Sequence, residues 1–217
     1  MSFLGLHDLP LFAATVLVLN ATPGVDLVFT ISRTLQHGVR TGLSGAAGIS
    51  AGCVVHALAA AFGLAALLAV SATAFAVLKG LGAAYLVWLA VGMLRSALRP
   101  AAPAAAAVTT APVPVPHGRV FRQGLLTNVL NPKVALFFLA FLPQFIDADA
   151  PHKTLAFLAL GGWFVLQSAL FLTALVLLTA RLRHLGGGSA TPGRWLNGLG
   201  GVLFLGLAAK LARTDLP

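Results

Sequence analysis

Charge is what this sequence has least of. Five of its 217 residues are acidic and fourteen are Lys or Arg, so that 9% of the chain is charged against 59% hydrophobic, and the mean hydropathy is +0.94. That little charge cannot cover a water-soluble globule of this size, and such a fold is excluded. Cysteine is scarcer still. Cys53 stands alone, which excludes intrachain disulfides, cysteine-ligated zinc, iron–sulfur clusters and any relay that needs two thiols. No Lys or Arg precedes the first apolar run, and Asp8 does; this is the wrong charge for a secretory signal, so the run reads as a retained first span. Period-two alternation is missing as well, which argues against a barrel of short strands.

What remains is an all-α membrane protein. Apolar stretches cover residues 9–31, 42–70, 73–94, 124–146, 155–180 and 195–211, each long enough for the ~20 residues that a spanning helix takes. The basic residues, net +9, fall between these runs singly or in pairs. Topology explains that scatter better than a nucleic-acid partner, which is not expected. Arg33 and Arg40, then Arg95, Arg99, Arg119 and Arg122, then Arg181, Arg183 and Arg194 occupy alternate loops, which places those loops in the cytoplasm and both termini outside. Lys210 and Arg213 run against that assignment at the C-terminus.

An Ala/Pro-rich stretch between Pro100 and Pro116 reads as a cytoplasmic linker. It divides the chain into a first three-helix repeat, 1–96, the linker, 97–121, and a second three-helix repeat, 122–217. The halves are faintly alike: Gly80-Leu81-Gly82 aligns with Gly198-Leu199-Gly200, and Thr22-Pro23-Gly24 stands where the second half has Asn131-Pro132-Lys133. With an odd number of spans in each half, such repeats are inverted, as in many transporters. Gly186, Gly187 and Gly188 lack the Lys and Ser or Thr of a phosphate-binding loop, so that reading is set aside.

Chemistry concentrates at two prolines. Pro23 removes a donor inside span one and strips the Leu19 carbonyl of its partner, Gly24 weakens the helix further, and a bend or break is expected there. Asp26, about one turn on, is the acid placed well within an apolar run, where burying an ion costs at least ~2.5 kcal/mol unless it faces a partner or a wet cavity. Span four repeats the pattern: Pro132 frees the Asn128 carbonyl, with Asn131 before it and Lys133 after it. Lys133 lies about 16 Å of helix from Arg122, near the middle of a ~30 Å hydrocarbon core. One reading is a kink with a structural ion pair between Asp26 and Lys133. The other is a midplane site at two broken helices, offering opposite charges and unpaired backbone groups to a zwitterion.

His56 sits in span two on the same face as Cys53. Two ligands are too few for a metal, and no metal site is expected; the histidine is either a packed core group or a proton carrier. Asn20, Thr22, Asn128, Gln144 and Gln167 are polar side chains in or beside the apolar runs, candidates for lining a pocket and equally for bridging helices. Gly42, Gly45, Gly48 and Gly52 in span two indicate close helix packing. Lys79 at the start of span three reads as a snorkelling, structural lysine.

The chain resembles the lysine exporter and homoserine/threonine efflux family, often called LysE/RhtB, of bacterial amino-acid exporters. The resemblance spans nearly the whole chain. It rests on Thr22-Pro23-Gly24-Val25-Asp26 followed by Arg33 and His37-Gly38, on the stretch from Gly48 to His56, on Lys79 to Trp88, and on Phe121-Arg122-Gln123-Gly124 running to Asn131-Pro132-Lys133 with Phe137-Phe138 and Leu142-Pro143-Gln144-Phe145. It implies a six-span inner-membrane protein that exports amino acids or close derivatives, driven by the proton motive force and without a cofactor. Its partners are then an amino-acid substrate, protons and the bilayer, with homo-oligomerisation left open. Val25 replaces a second proline that the family commonly carries, which suggests a milder break in span one. Rival readings are an exporter of metal ions or other small solutes, disfavoured by the shortage of soft ligands and carboxylates, an intramembrane enzyme, for which paired acids or a nucleophile with its base are lacking, and a helical scaffold, which leaves the buried charges unexplained.

Overall fold

The computed structural model describes residues 3–70, 72–98, 115–147 and 149–184, with 202, 205 and 206 besides. These residues are helical almost throughout; among them the β structure is one isolated antiparallel bridge between Leu6 and Ile146. Helix α1 is Leu9–Ala21, α2 Val25–His37, α3 Val39–Ala59, α4 Ala65–Val70, α5 Ala72–Leu98, α6 His117–Val129, α7 Pro132–Leu136 and α8 Lys153–His184. A π-helical turn, Ala60–Leu64, joins α3 to α4. A second π turn, Phe137–Phe141, and a 3-10 turn, Leu142–Phe145, prolong α7. Helices are what a bilayer demands, because hydrocarbon offers backbone N–H and C=O groups no partner outside their own segment.

Val39–Leu67 and Lys153–Leu182 are each long and apolar enough to cross a membrane, and Leu9–Ala21 with Val25–His37, and His117–Val129 with Pro132–Phe145, pass the same test if each bent pair is one span. The chain is a multi-pass helical membrane protein. Helix α5 covers the expected third span, although the side chain of Lys79 lies outside the described residues. Also outside them are linker residues 99–114, the glycine-rich loop after His184, and the sixth apolar stretch apart from Val202, Leu205 and Gly206, which are helical. Helix α6 begins at His117, earlier than the apolar run itself.

The two bent pairs run in opposite directions side by side. At one end Leu6 bridges Ile146, and the Asp147 N–H donates to the Gly5 carbonyl at 2.8 Å. At the other end Arg33 Nη2 donates to Gln123 Oε1 at 3.2 Å, and Ser44 Oγ donates to the His117 carbonyl at 2.7 Å. Among the described residues the N-terminal segment and the segment after α7 therefore lie at one end of the bent pairs, and Arg33 with the start of α6 lies at the other.

Glycine sets how closely the central helices approach. A Cβ on Gly48 would collide with the Phe121 carbonyl oxygen, and one on Gly124 with the Gly45 carbonyl oxygen. Backbone thus touches backbone where α3 crosses α6, which is what the glycine run of span two signals. Beside this crossing Phe12, Phe137, Phe138, Phe141, Phe145 and Phe164 are buried together, with neighbouring ring centroids 4.8 to 6.4 Å apart. In lipid such a cluster contributes through dense packing and dispersion, since acyl chains are as apolar as the rings.

Candidate functional site

The first break is complete. Helix α1 ends at Ala21, α2 starts at Val25, and the two axes are bent by 55°. Val25 in place of a second proline therefore does not leave a mild kink, because Pro23 and Gly24 suffice to stop the helix. Thr22 closes α1 by donating both its N–H and its hydroxyl to the Val18 carbonyl, at 2.9 and 2.6 Å. The Leu19 carbonyl, deprived of its helical donor by Pro23, accepts from Lys133 Nζ at 3.0 Å, and the Thr22 carbonyl accepts from the same nitrogen at 3.2 Å. A cation on the C-terminal carbonyls of a helix is stabilised by the helix dipole. Gly24 leaves room for it: a Cβ there would sit 3.2 Å from Nζ.

The second break mirrors the first. Helix α6 ends at Val129, α7 starts at Pro132, and the bend is 47°. Asn131 caps α7, accepting the Lys133 N–H on Oδ1 at 3.0 Å. Its Nδ2 donates to Asp26 Oδ2 at 3.0 Å, and Asn128 Nδ2 donates to the same oxygen at 2.9 Å. Asp26 itself sits in the first turn of α2, the end of a helix dipole that favours an anion. The Asn128 carbonyl, the one Pro132 frees, accepts from the Asn131 N–H at 2.9 Å and lies 3.1 Å from His56 Nε2. A carbonyl only accepts, so His56 carries its proton on Nε2 in this contact.

Asp26 and Lys133 are not an ion pair: the carboxylate is held by the amides of span four and the ammonium by the carbonyls of span one. Each charge is solvated by the neutral groups of the opposite break. Together with Asn20, Asn128, Cys53 and Ser168 they line an enclosed space of about 20 Å³, enough for one water. Three buried atoms of these residues, Asp26 Oδ1, Asn128 Oδ1 and Asn20 Nδ2, have no hydrogen-bond partner among the described residues. Leaving buried polar atoms unpaired costs ~1–3 kcal/mol apiece, and native structures accumulate them where a ligand or water is taken up.

Not every polar candidate reaches this space. Gln144 Nε2 donates to the Ala140 carbonyl one turn back, at 3.3 Å. Gln167 bridges α8 to α1, donating to the Ala13 carbonyl at 2.8 Å while accepting from Trp163. His56 lies one helical turn beyond, its ring stacked on Phe138 at 5.8 Å. Ser168 escapes a reading of the sequence, although its Oγ donates to Asn20 Oδ1 at 3.1 Å; a hydroxyl beside Gln167 in an apolar run was the available signal. Among the described residues no three His, Cys, Asp or Glu side chains come together to hold a metal.

An α-helical membrane protein with a charged, partly unsatisfied cavity at two interrupted helices is the architecture of a transporter core. Residues 17–215 match the model of the LysE type translocator family, and the chain belongs to that family. It is 38% identical to an uncharacterized membrane protein of Pseudomonas aeruginosa over the full length of both chains. It is 32% identical to a leucine efflux protein of Salmonella choleraesuis, covering 88% of this chain and 87% of that one. A homoserine/homoserine lactone efflux protein of Salmonella typhimurium is 30% identical over 79% of this chain and 80% of its own. No solved structure is significantly similar.

Proposed function

We propose that this protein is a secondary exporter of amino acids or close derivatives, residing in the bacterial inner membrane and driven by the proton motive force, with the cavity between the two breaks as its binding site. The observation that carries this reading is the set of unpartnered atoms beside two opposite charges. Asp26 Oδ1 and Asn128 Oδ1 offer acceptors to a substrate ammonium. Asn20 Nδ2 and the third N–H of Lys133, whose other two serve Leu19 and Thr22, offer donors to a carboxylate. A zwitterion satisfies both sets at once. The relatives named for leucine and homoserine efflux support an amino-acid substrate.

A space of about 20 Å³ is far below the ~300 Å³ at which small-molecule sites begin, so the cavity widens on the way to the bound state. The two bent pairs suit alternating access, since they meet at one end through Arg33 and Gln123 and at the other through Leu6 and Ile146, as inverted repeats rock about a fixed site. Asp26 is the group best placed to take the coupled proton, and the arginine distribution puts both termini outside. A metal-ion exporter finds one carboxylate and one thiol here, too few hard or soft ligands. Uptake of labelled leucine, homoserine, threonine and lysine into inverted vesicles tests the reading. Uptake of at least one, raised by an acid-inside gradient and lost in Asp26→Asn, is expected; no uptake of any of the four in the wild type overturns it.

A further inference from the structure

The hydroxyls of Thr15, Thr22, Thr34, Thr41 and Ser50 each donate to the carbonyl four residues back, at 2.6 to 3.3 Å. That is the ordinary bond of a Ser or Thr within a helix. Ser168 departs from it. The residue is 1% exposed, and its hydroxyl donates out of α8 to Asn20 Oδ1 on α1 at 3.1 Å. Holding the two helices together does not call for this bond, because Gln167 beside it already ties α8 to α1 through the Ala13 carbonyl at 2.8 Å. Phe164, Ser168 and Leu172 line the polar cavity from α8, at the four-residue steps of one helix face, and Ser168 is the polar member of that stripe. Asn20 lines the same cavity from α1. An amide has an acceptor end and a donor end. Ser168 takes the acceptor, and Asn20 is left with Nδ2 buried and without a hydrogen-bond partner among the described residues.

We infer that Ser168 is a positioning residue for transport: it holds the Asn20 amide with its N–H groups toward the cavity, so that Asn20 binds the carboxylate of the transported amino acid beside Lys133. This rests on the exporter reading above and extends it to α8, a helix outside the two broken pairs. The unpartnered oxygens of the cavity, Asp26 Oδ1 and Asn128 Oδ1, are both acceptors. Against them the cavity sets the Lys133 ammonium and Asn20 Nδ2 as donors. Turned end for end, the Asn20 amide would add a third acceptor and present an oxygen where a carboxylate has to sit. Ser168 acts through one hydrogen bond to the group that touches substrate, as supporting bonds lock the rotamers of a binding site. A carboxylate gives Nδ2 a charge-assisted bond, whereas an amine without one leaves that nitrogen unpaired.

The test is exchange in vesicles loaded with unlabelled amino acid and given the labelled one, using whichever of leucine, homoserine, threonine and lysine the wild type takes up. Both sides are held at one pH, so that a permeant competitor has no gradient to collapse. The competitors are the amino acid itself and the amine that remains when its carboxylate is removed, and the wild type is expected to favour the amino acid. Ser168→Ala is expected to raise the apparent KM for the amino acid about tenfold, as for the loss of one hydrogen bond to a charged group. The maximal rate and inhibition by the amine are expected to stay within about twofold, since neither depends on carboxylate binding. Ser168→Thr, which keeps the hydroxyl, is expected to restore most of the affinity. Because Ser168 acts through Asn20, adding Ser168→Ala to Asn20→Ala is expected to raise KM no further. If Ser168→Ala fails to insert, Ser168→Cys, a weaker donor of similar size, reads the same KM and the same coupling to Asn20→Ala. A wild type that binds amine and amino acid alike, an unchanged KM in the variant, a loss confined to the maximal rate, or losses that add in the double variant each overturn the inference and leave the bond a structural tie between α1 and α8. Wild-type vesicles that exchange none of the four amino acids overturn the exporter reading instead, so the two failures are told apart.

Discussion

Lys133 donates Nζ to the Leu19 carbonyl at 3.0 Å, and that carbonyl is the one Pro23 deprives of a helical donor. His56 serves the Asn128 carbonyl, freed by Pro132, in the same way at 3.1 Å. The first break is thus completed by a side chain of the second, and the second by a side chain of α3. A movement that separates the two breaks therefore strips the Leu19 carbonyl of its donor.

Asp26→Asn is expected to abolish transport and leave the fold intact. An asparagine Oδ1 still accepts from Asn128 and Asn131, so both bonds from span four survive, while the negative charge and the protonatable oxygen are gone. Uptake in vesicles together with the melting temperature in detergent checks this; full uptake by the variant contradicts it.

Lys133→Met is expected to cost ~1–3 kcal/mol of stability, because the Leu19 and Thr22 carbonyls lose their shared donor. Had Asp26 and Lys133 formed a direct buried pair, breaking it would cost ~3–5 kcal/mol, and neutralising both would restore stability. Since they do not touch, the double variant Asp26→Asn with Lys133→Met is expected to melt near Lys133→Met alone. A return to the wild-type melting temperature would reveal strong direct coupling.

His56→Gln is expected to keep stimulation by a pH gradient. Its amide donates to the Asn128 carbonyl as Nε2–H does, so the role visible in the structure is preserved, and the proposed exchange puts the coupled proton on Asp26. His56→Leu, which cannot donate, is expected to lower the melting temperature. Uncoupled, gradient-independent uptake in well-folded His56→Gln vesicles would give the coupled proton to the histidine.

Gly52→Ala is expected to impair transport more than tenfold. The added Cβ would lie 2.6 Å from Asn128 Oδ1, so the side chain that holds Asp26 must move, with an overpacking cost of ~1–3 kcal/mol. Gly162→Ala on α8 is the control, because a Cβ there meets nothing within 4 Å. Equal activity in the two variants would remove Asn128 from the site.

Single cysteines introduced in a Cys53→Ala background read out sidedness. Cys53 is buried, so its removal lowers background without touching a loop. Positions near Gly5 and Asp147 are expected to label together from outside and linker positions only after permeabilisation; the reverse pattern would invert the topology.

The sequence by itself determined the class of the molecule and the places where its helices stop. A mean hydropathy of +0.94 with 9% charge admits little but a bilayer protein, and Pro23 and Pro132 break their helices for reasons confined to three or four residues. Local chemistry also marked Asp26, Asn131 and Lys133, since an ion or amide inside an apolar run is costly wherever it lies. Which group answers which was decided only by tertiary structure. The sequence suggested pairing Asp26 with Lys133 by opposite charge, whereas the folded chain gives the acid to two amides and the lysine to two carbonyls. Gln144 and Gln167 looked as suitable as Asn20 and Asn128, yet the rotation of each helix turns the glutamines to backbone acceptors elsewhere. Side-chain type sets what a residue can bind; the crossing of α3 against α6, set by glycines whose missing Cβ atoms let two backbones touch, sets what comes within reach.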